Sequence, residues 1–421
     1  MPMLSPEVQR IELPKMFPVR QKFDSRQLEN VKGTLAEKLK QTVPVPPGAS
    51  VAVAVGSRGI RDLLVIVKET VRHVKEAGGM PFIVAAMGSH GGGTEEGKRS
   101  ILGSYGITEE NLGVPVDCSL DTVELGRVMG DVPVHVSVSA RNADMVIAVN
   151  RIKPHTDYRG DVESGLCKML AVGLGKHTGC SLLHTRGFEA FGDLIPAAAD
   201  LTIGNLKACF GVGIIENAYD RTRDVEVLHA REFLSREPEL LKTAREHMPK
   251  IMLTNCDILV VEQIGKDISG AGMDPNVVGR TTKGIIEGYS GPDISRVIVK
   301  QLTPASHGNA LGIGLADFTL ESLVKDLDLP VMCANAVASG NPESARIPPA
   351  FGDIASAVKA AAACSPKAEM KHLRIIQIKN TLELEHIWVS EALLPEVEAH
   401  EKLERTSGQG RRIEEIQHEE G

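Results

Sequence analysis

The residues best suited to chemistry in this sequence crowd into positions 150–184, NRIKPHTDYRGDVESGLCKMLAVGLGKHTGCSLLH. His155, Asp157, Arg159, Asp161, Glu163, Lys168, Lys176, His177 and His184 stand there among glycines. A packed core excludes so many titratable groups, because burying an unpaired charge is costly. A site accepts them: glycine lets backbone approach a ligand, and imidazole and amine supply proton transfer, metal ligation or covalent attachment. Lys168 lies in the apolar run Leu166-Cys167-Lys168-Met169-Leu170. Its ammonium is expected to be paired, neutral or covalently used, the plain alternative being a stem that carries the charge out to water. A second cluster, GSHGGGTEEG at 88–97, sets His90 in a flexible turn before a helix. The amides of Gly91 and Gly92 suit a phosphate or carboxylate there, while His90 does proton work. Read blandly, the glycines are an ordinary turn and His90 a surface residue.

Other chemistries lack their residues. The order GxxxxGK[ST] is absent, since Lys98 does not stand where that loop needs it, and GxGxxG does not follow the first strand. HExxH is absent, and His177 and His184, seven apart, are not a standard zinc pair. The seven cysteines are odd in number, scattered and never in a CxxC pair, which favours reduced thiols over disulfides.

The elements that position these groups follow from periodicity. SVAVAV at 50–55 reads as a buried strand running into Gly56-Ser57-Arg58-Gly59, and Leu64, Val67, Val71 and Val74 mark an amphipathic helix over 61–77. A strand at 81–87 leads into the His90 turn, and a strand at 144–149 leads into the 150–184 stretch. Further strands are expected at 114–118, 132–138, 210–215, 256–262, 296–301, 330–334 and 373–378, with helices at 25–41, 194–201, 229–247, 320–325 and 353–362. Four strands run at once into loops rich in glycine and polar groups: GSRG, GSHGGG, NRIKPH and IGKDISGAG. In open α/β sheets ligands bind outside the carboxyl ends of strands. The expected fold is therefore two α/β domains with a ligand cleft between them at strand C-terminal ends. The expected limits are an N-terminal domain at 1–235 carrying the cofactor and acid/base residues, a C-terminal domain at 236–395 completing the cleft, and a solvated charged tail at 396–421.

Composition narrows the partner. Hydrophobic residues at 42% and charged residues at 24% fit an ordinary globular protein. Aromatics at 3% and a net charge of −8 supply neither stacking platforms nor a basic footprint, so nucleic acid and anionic membrane are not expected and a small molecule is. The first residues contain no signal-like apolar stretch, and no long apolar run follows, so a cytoplasmic protein is expected.

Several of these residues together resemble the nickel-dependent lactate racemase family. The likeness lies in His90 within a strand-end GxH with Thr94 four residues on, Pro154-His155, Lys168, and His184 sixteen residues beyond it. That family uses a nickel-pincer nucleotide, a nicotinate-derived mononucleotide whose nickel is held by two sulfurs and a ring carbon. The resemblance implies that Lys168 holds the cofactor covalently through a thioamide, that His184 is the protein's nickel ligand, and that His90 and His155 are the acid/base pair. It further implies a racemase or epimerase acting on a 2-hydroxy acid or sugar acid by hydride transfer, with cofactor-synthesis proteins as partners. The sequence departs from the family's DxTRP signature, having Gly56-Ser57-Arg58-Gly59-Ile60-Arg61-Asp62 instead, so the resemblance implies that either Arg58 or Arg61 makes the substrate or phosphate contact, with Arg58 assigned to the cofactor and Arg61 to the substrate. The family's Gln and Lys, three apart, have a loose counterpart in Arg280 and Lys283 as substrate contacts. The extra acidic groups Asp157, Asp161 and Glu163 suit a longer, polar hydroxy acid. Two other functions compete: a non-catalytic binder of an anionic metabolite, and a zinc-dependent hydrolase using His155, His184 and a carboxylate.

Overall fold

The computed structural model describes residues 4–282, 284–289, 291–365 and 372–416. The chain divides into two compact units, one of residues 25–248 and one of residues 1–24 with 249–421. Among the described residues no helix is long and apolar enough to cross a membrane.

Residues 25–248 build on a six-stranded sheet in the order Val116–Asp117, Met80–Ala85, Ser50–Val55, Met145–Arg151, Cys209–Glu216, Thr222–His229. All pairs are parallel except the last. Successive side chains alternate between faces, so Val51, Val53 and Val55 enter one hydrophobic core with the helix Leu63–Glu76, and Ala52 and Ala54 enter another. The second face is lined by small residues, and that decides what packs there. Gly211 has no room for a β-carbon, which would lie 2.7 Å from Leu166 Cδ1 and 2.6 Å from Phe233 Cζ. The helical segment that begins at Leu166 therefore lies close against the sheet, and Lys168 is carried with it. A two-stranded antiparallel ribbon, Thr122–Val128 with Val132–Ser137, adds Val132, Val134 and Val136 to the same core.

The other unit holds an eight-stranded sheet ordered Ala350–Phe351, Phe318–Leu320, Asp293–Leu302, Asn255–Ile264, Ile375–Ile378, His386–Ser390, Met16–Gln21, Leu403–Arg405. The first five strands are parallel and the rest antiparallel.

Most expected elements are present within a few residues, and three differences have plain causes. The strand expected at 330–334 is a helix, Leu329–Ser339: Asp328 caps it by accepting from Val331 N–H, Pro330 suits its first turn, and an apolar run fits a helix as well as a strand. Residues before 25 do not join the 25–248 unit; Met16–Gln21 is inserted between His386–Ser390 and Leu403–Arg405 in the other sheet. The end of the chain is no solvated tail as far as it is described, since Leu403, Ile413 and Ile416 are buried. Its apolar residues are too sparse to show a period, yet each fills a place in the core around Ile258, Val260 and Ile375 or in the strand that completes the sheet.

Candidate active site

Three adjacent parallel strands of the 25–248 unit end in the loops that carry the candidate residues. Ser50–Val55 leads to Ser57 and Arg58, Met80–Ala85 to Ser89 and His90, and Met145–Arg151 to His155. The fourth expected loop, 265–276, follows Asn255–Ile264 in the other unit.

His155 is held on every side. Its backbone N–H donates to Glu163 Oε2 at 2.5 Å, and its carbonyl accepts from Arg159 Nη1 at 2.7 Å. Glu163 is fully buried and is charge-compensated by Arg159 and Arg245. The ring stacks 4.5 Å from Tyr158 and lies 5.9 Å from Phe188. Its Nδ1 accepts from Asp157 N–H at 3.0 Å and stands 3.7 Å from Asp157 Oδ2. Burial, then the charges of Lys168, Lys153, His184 and Arg159, push its pKa well below the usual histidine value, so the ring is neutral near pH 7.

Lys168 opens a π-helical turn, Met169–Gly173, in which Leu174 N–H reaches back to Met169 C=O. Such turns are rare and recur at functional sites. Within the turn Gly173 packs on the Met169 sulfur and the backbone of Ala86, where a β-carbon would sit 2.8 Å from the sulfur and 2.9 Å from the Ala86 oxygen. The lysine ammonium lies 5.7 Å from the Tyr158 ring centroid. Desolvation lowers its pKa to about 8, with the charge of Arg58 acting in the same direction.

His184 ends the helix Lys176–His184, one turn beyond Cys180. Its Nδ1 donates to the Cys180 carbonyl at 2.7 Å and lies 3.5 Å from Cys180 Sγ. The bond to a carbonyl fixes a proton on Nδ1. Against the burial that lowers it, the hydrogen bonds to and charge of Cys180 raise the imidazole's pKa, so Nε2 is the nitrogen that gains and loses a proton and, in the neutral ring, offers its lone pair to another partner. Phe188 and Phe191 pack edge-on against the ring at 5.5 and 4.9 Å.

His90 joins through its neighbours. Its Nδ1 is hydrogen-bonded to Ser57 Oγ, and Tyr105 OH donates to Ser57 C=O at 2.9 Å. Ser89 Oγ accepts from Cys180 Sγ at 3.8 Å, and Cys180 is the partner of His184. Contacts run from Lys168 to Tyr158 and His155, from His155 through Phe188 to His184, and from His184 through Cys180 to Ser89, the neighbour of His90, while Arg58, next to the Ser57 that bonds His90, acts on Lys168 through its charge.

The remaining candidates divide. Gly92 keeps open space where a side chain would be and a φ of 64°. Gly91 is also left-handed, but it meets the backbone of Gly97, so its size is explained by packing. Arg61 uses its N–H to bind Glu216 Oε1 at 2.8 Å and is exposed. Arg280 belongs to the other unit, where Asp317 and the Ile294 carbonyl hold it at 2.8 and 2.9 Å. Lys283 lies outside the described residues. Among the described residues, no three of the His, Cys, Asp and Glu side chains are placed to hold a metal between them. Sequence reasoning missed Cys180, whose signal was the four-residue spacing to His184 on one helix face. It also missed Ser57, the partner of His90, and Glu237, which accepts from the N–H of Cys167, next to Lys168, at 2.9 Å; the positions of both give no local sign of their partners.

Residues 44–186 match the family of the lactate racemase N-terminal domain. His90, His155, Lys168 and His184 all fall within that match. Over this stretch the chain is similar to the lactate racemase N-terminal domain. The match covers about a third of the sequence. Among curated proteins none matches the chain. Among solved structures, the lactate racemase apoprotein from Thermoanaerobacterium thermosaccharolyticum is 13% identical, with 91% of this chain and 96% of that one covered and a TM-score of 0.48. A protein from Thermotoga maritima is 14% identical, with 75% and 82% covered and a TM-score of 0.47. Both likenesses are remote, and the similarity to the family rests on the match over residues 44–186.

Proposed function

We propose that this protein is a racemase or epimerase of a 2-hydroxy acid or sugar acid and that the part similar to the lactate racemase N-terminal domain holds a nickel-pincer nucleotide. The observation that carries the reading is the lysine amine lowered to about 8 in the same run of contacts as two imidazoles, one neutral and one whose Nε2 is the titrating nitrogen.

The residues present fit such a group. Lys168 has an amine partly neutral near pH 8, the form that an acyl or thioacyl carbon requires for attachment. His184 offers a nitrogen donor, and among the described residues no three His, Cys, Asp or Glu side chains gather to hold a metal between them. That is the donor set expected when the other ligands belong to the organic group. When bound, the nucleotide supplies the hydride acceptor.

The chain's own residues supply proton transfer and orientation. With Nδ1 accepting Asp157 N–H, His155 presents a proton at Nε2; with its proton on Nδ1, facing the Asp157 carboxylate, it presents a lone pair there. Asp157 therefore supports both forms, which a residue acting as acid in one direction and base in the other requires. Ser57 does the same for His90, because a hydroxyl both donates and accepts. Tyr158, Phe188 and Phe191 shield the imidazoles from water and so strengthen each polar interaction among them.

The test is to produce the protein together with cofactor-building enzymes. Bound nickel and a mass increment on the Lys168 peptide are expected, followed by deuterium exchange at the hydroxyl-bearing carbon of a hydroxy acid. Protein that carries neither nickel nor adduct sinks the reading.

A further inference from the structure

Two lysines that the proposed chemistry does not use occupy the costliest position available to them. Lys98 and Lys176 are both fully buried, and neither ammonium has a hydrogen-bond partner. They lie within electrostatic reach of each other and of the same two carboxylates, Asp117 and the exposed Glu95. Asp117 is already engaged: Oδ1 accepts from Ser119 N–H at 2.8 Å and Oδ2 from the Ser139 hydroxyl. Two cations side by side away from water repel each other, and their six N–H donors stay unsatisfied. Burial accordingly lowers both amines, Lys176 to about 8.

The surroundings are built rather than incidental. Lys176 has a left-handed backbone, φ 55°, at the first position of its helix, a conformation that a non-glycine residue adopts only when its surroundings hold it there. Lys98 is the fourth residue of the helix Glu95–Ser104 that follows the GSHGGG turn, in which Gly91, Gly92 and Gly93 are all left-handed. Gly93 packs on His177, next to Lys176, with its missing β-carbon 3.0 Å from Nδ1. Lys98 also senses Cys180, as do Lys168 and His184, so the pair adjoins the candidate active site across that one thiol.

We propose that Lys98 and Lys176 form a buried binding site for a phosphate monoester dianion, entered by movement of the Gly91–Gly93 turn. A dianion neutralises both charges and offers acceptors to both ammoniums, whereas water offers acceptors and no charge. The ester deepens the proposed function, on which its identity as the nucleotide's phosphate rests. The anion site itself is independent of that reading.

The experiment uses full-length protein without cofactor and follows thermal unfolding while inorganic phosphate is titrated against chloride at equal ionic strength, with nicotinic acid mononucleotide as a second arm. Phosphate at ten times its Kd should raise the midpoint by roughly 3–5 °C. Lys98→Met and Lys176→Met, each tested singly, should abolish the shift while unfolding no earlier than the parent without phosphate, since each removes a buried ammonium that has no hydrogen-bond partner. Lys98→Gln and Lys176→Gln serve if a methionine variant does not fold. A mononucleotide that acts at much lower concentration than phosphate identifies the nucleotide as the source, and equal action by both assigns the site to free phosphate. Absence of any shift in the parent, or a shift that survives both substitutions, overturns the proposal. Failure of the Lys168 adduct to form would leave this result standing, so the two readings fail separately.

Discussion

Lys168 and Glu237 show how burial alone tunes single residues here. Desolvation brings the Lys168 amine to about 8, so its reactivity towards an acylating reagent should rise with a midpoint near pH 8, not near the usual lysine value. Peptide mass spectrometry of briefly labelled protein reads this directly, and a midpoint above 10 contradicts it. Glu237 is fully buried, accepts from Cys167 N–H at 2.9 Å through Oε2, and has no partner for Oε1. It thereby caps the turn that carries Lys168 from a distant helix. Desolvation raises its carboxyl from 4.5 to about 7. The sign follows: a carboxyl with a raised folded-state pKa adds stability below pH 4.5, and this is lost as pH climbs to 7. Parent stability should fall by roughly 2–3 kcal/mol relative to Glu237→Gln between pH 4.5 and 7.5. Urea unfolding of the two proteins across that range checks it, and parallel curves refute it.

At the scale of elements, the small-residue face of the 25–248 sheet decides where the chemistry sits. Gly211 and Gly213 let Leu166 and Ile152 approach the strand backbone, and Gly173 lets the π-helical turn pack closely on Ala86. Gly211→Val should cost about 1–3 kcal/mol through overpacking against Leu166 and Phe233, and it should also slow Lys168 labelling by displacing its helix. Calorimetry with the same labelling assay tests both, and unchanged labelling would disconnect the glycine from the site. The strands themselves were legible from sequence because SVAVAV and its neighbours are continuous apolar runs ended by glycine. The π-helical turn was not, because its close packing, Gly173 against Ala86, joins residues far apart in sequence.

For the whole molecule, the chain ends matter more than their composition suggests. Met16–Gln21 and Leu403–Arg405 are neighbours in the eight-stranded sheet, and Ile413 and Ile416 are buried beneath them. Ile413→Ala should lower stability by about 2–4 kcal/mol, and a terminal residue in solvent would cost almost nothing. Denaturant unfolding distinguishes the two. What the sequence determined by itself was local: alternation and apolar runs set the strands, glycine and threonine set the strand-end turns, and the histidines and lysine in those turns marked the site. What only the tertiary structure decided was non-local. Chain-distant partners such as Ser57 for His90 and Glu237 for the Lys168 turn, the left-handed placement of Lys176 beside Lys98, and the threading of the first strand into the second unit all depend on contacts made when distant segments pack. No local periodicity encodes such contacts.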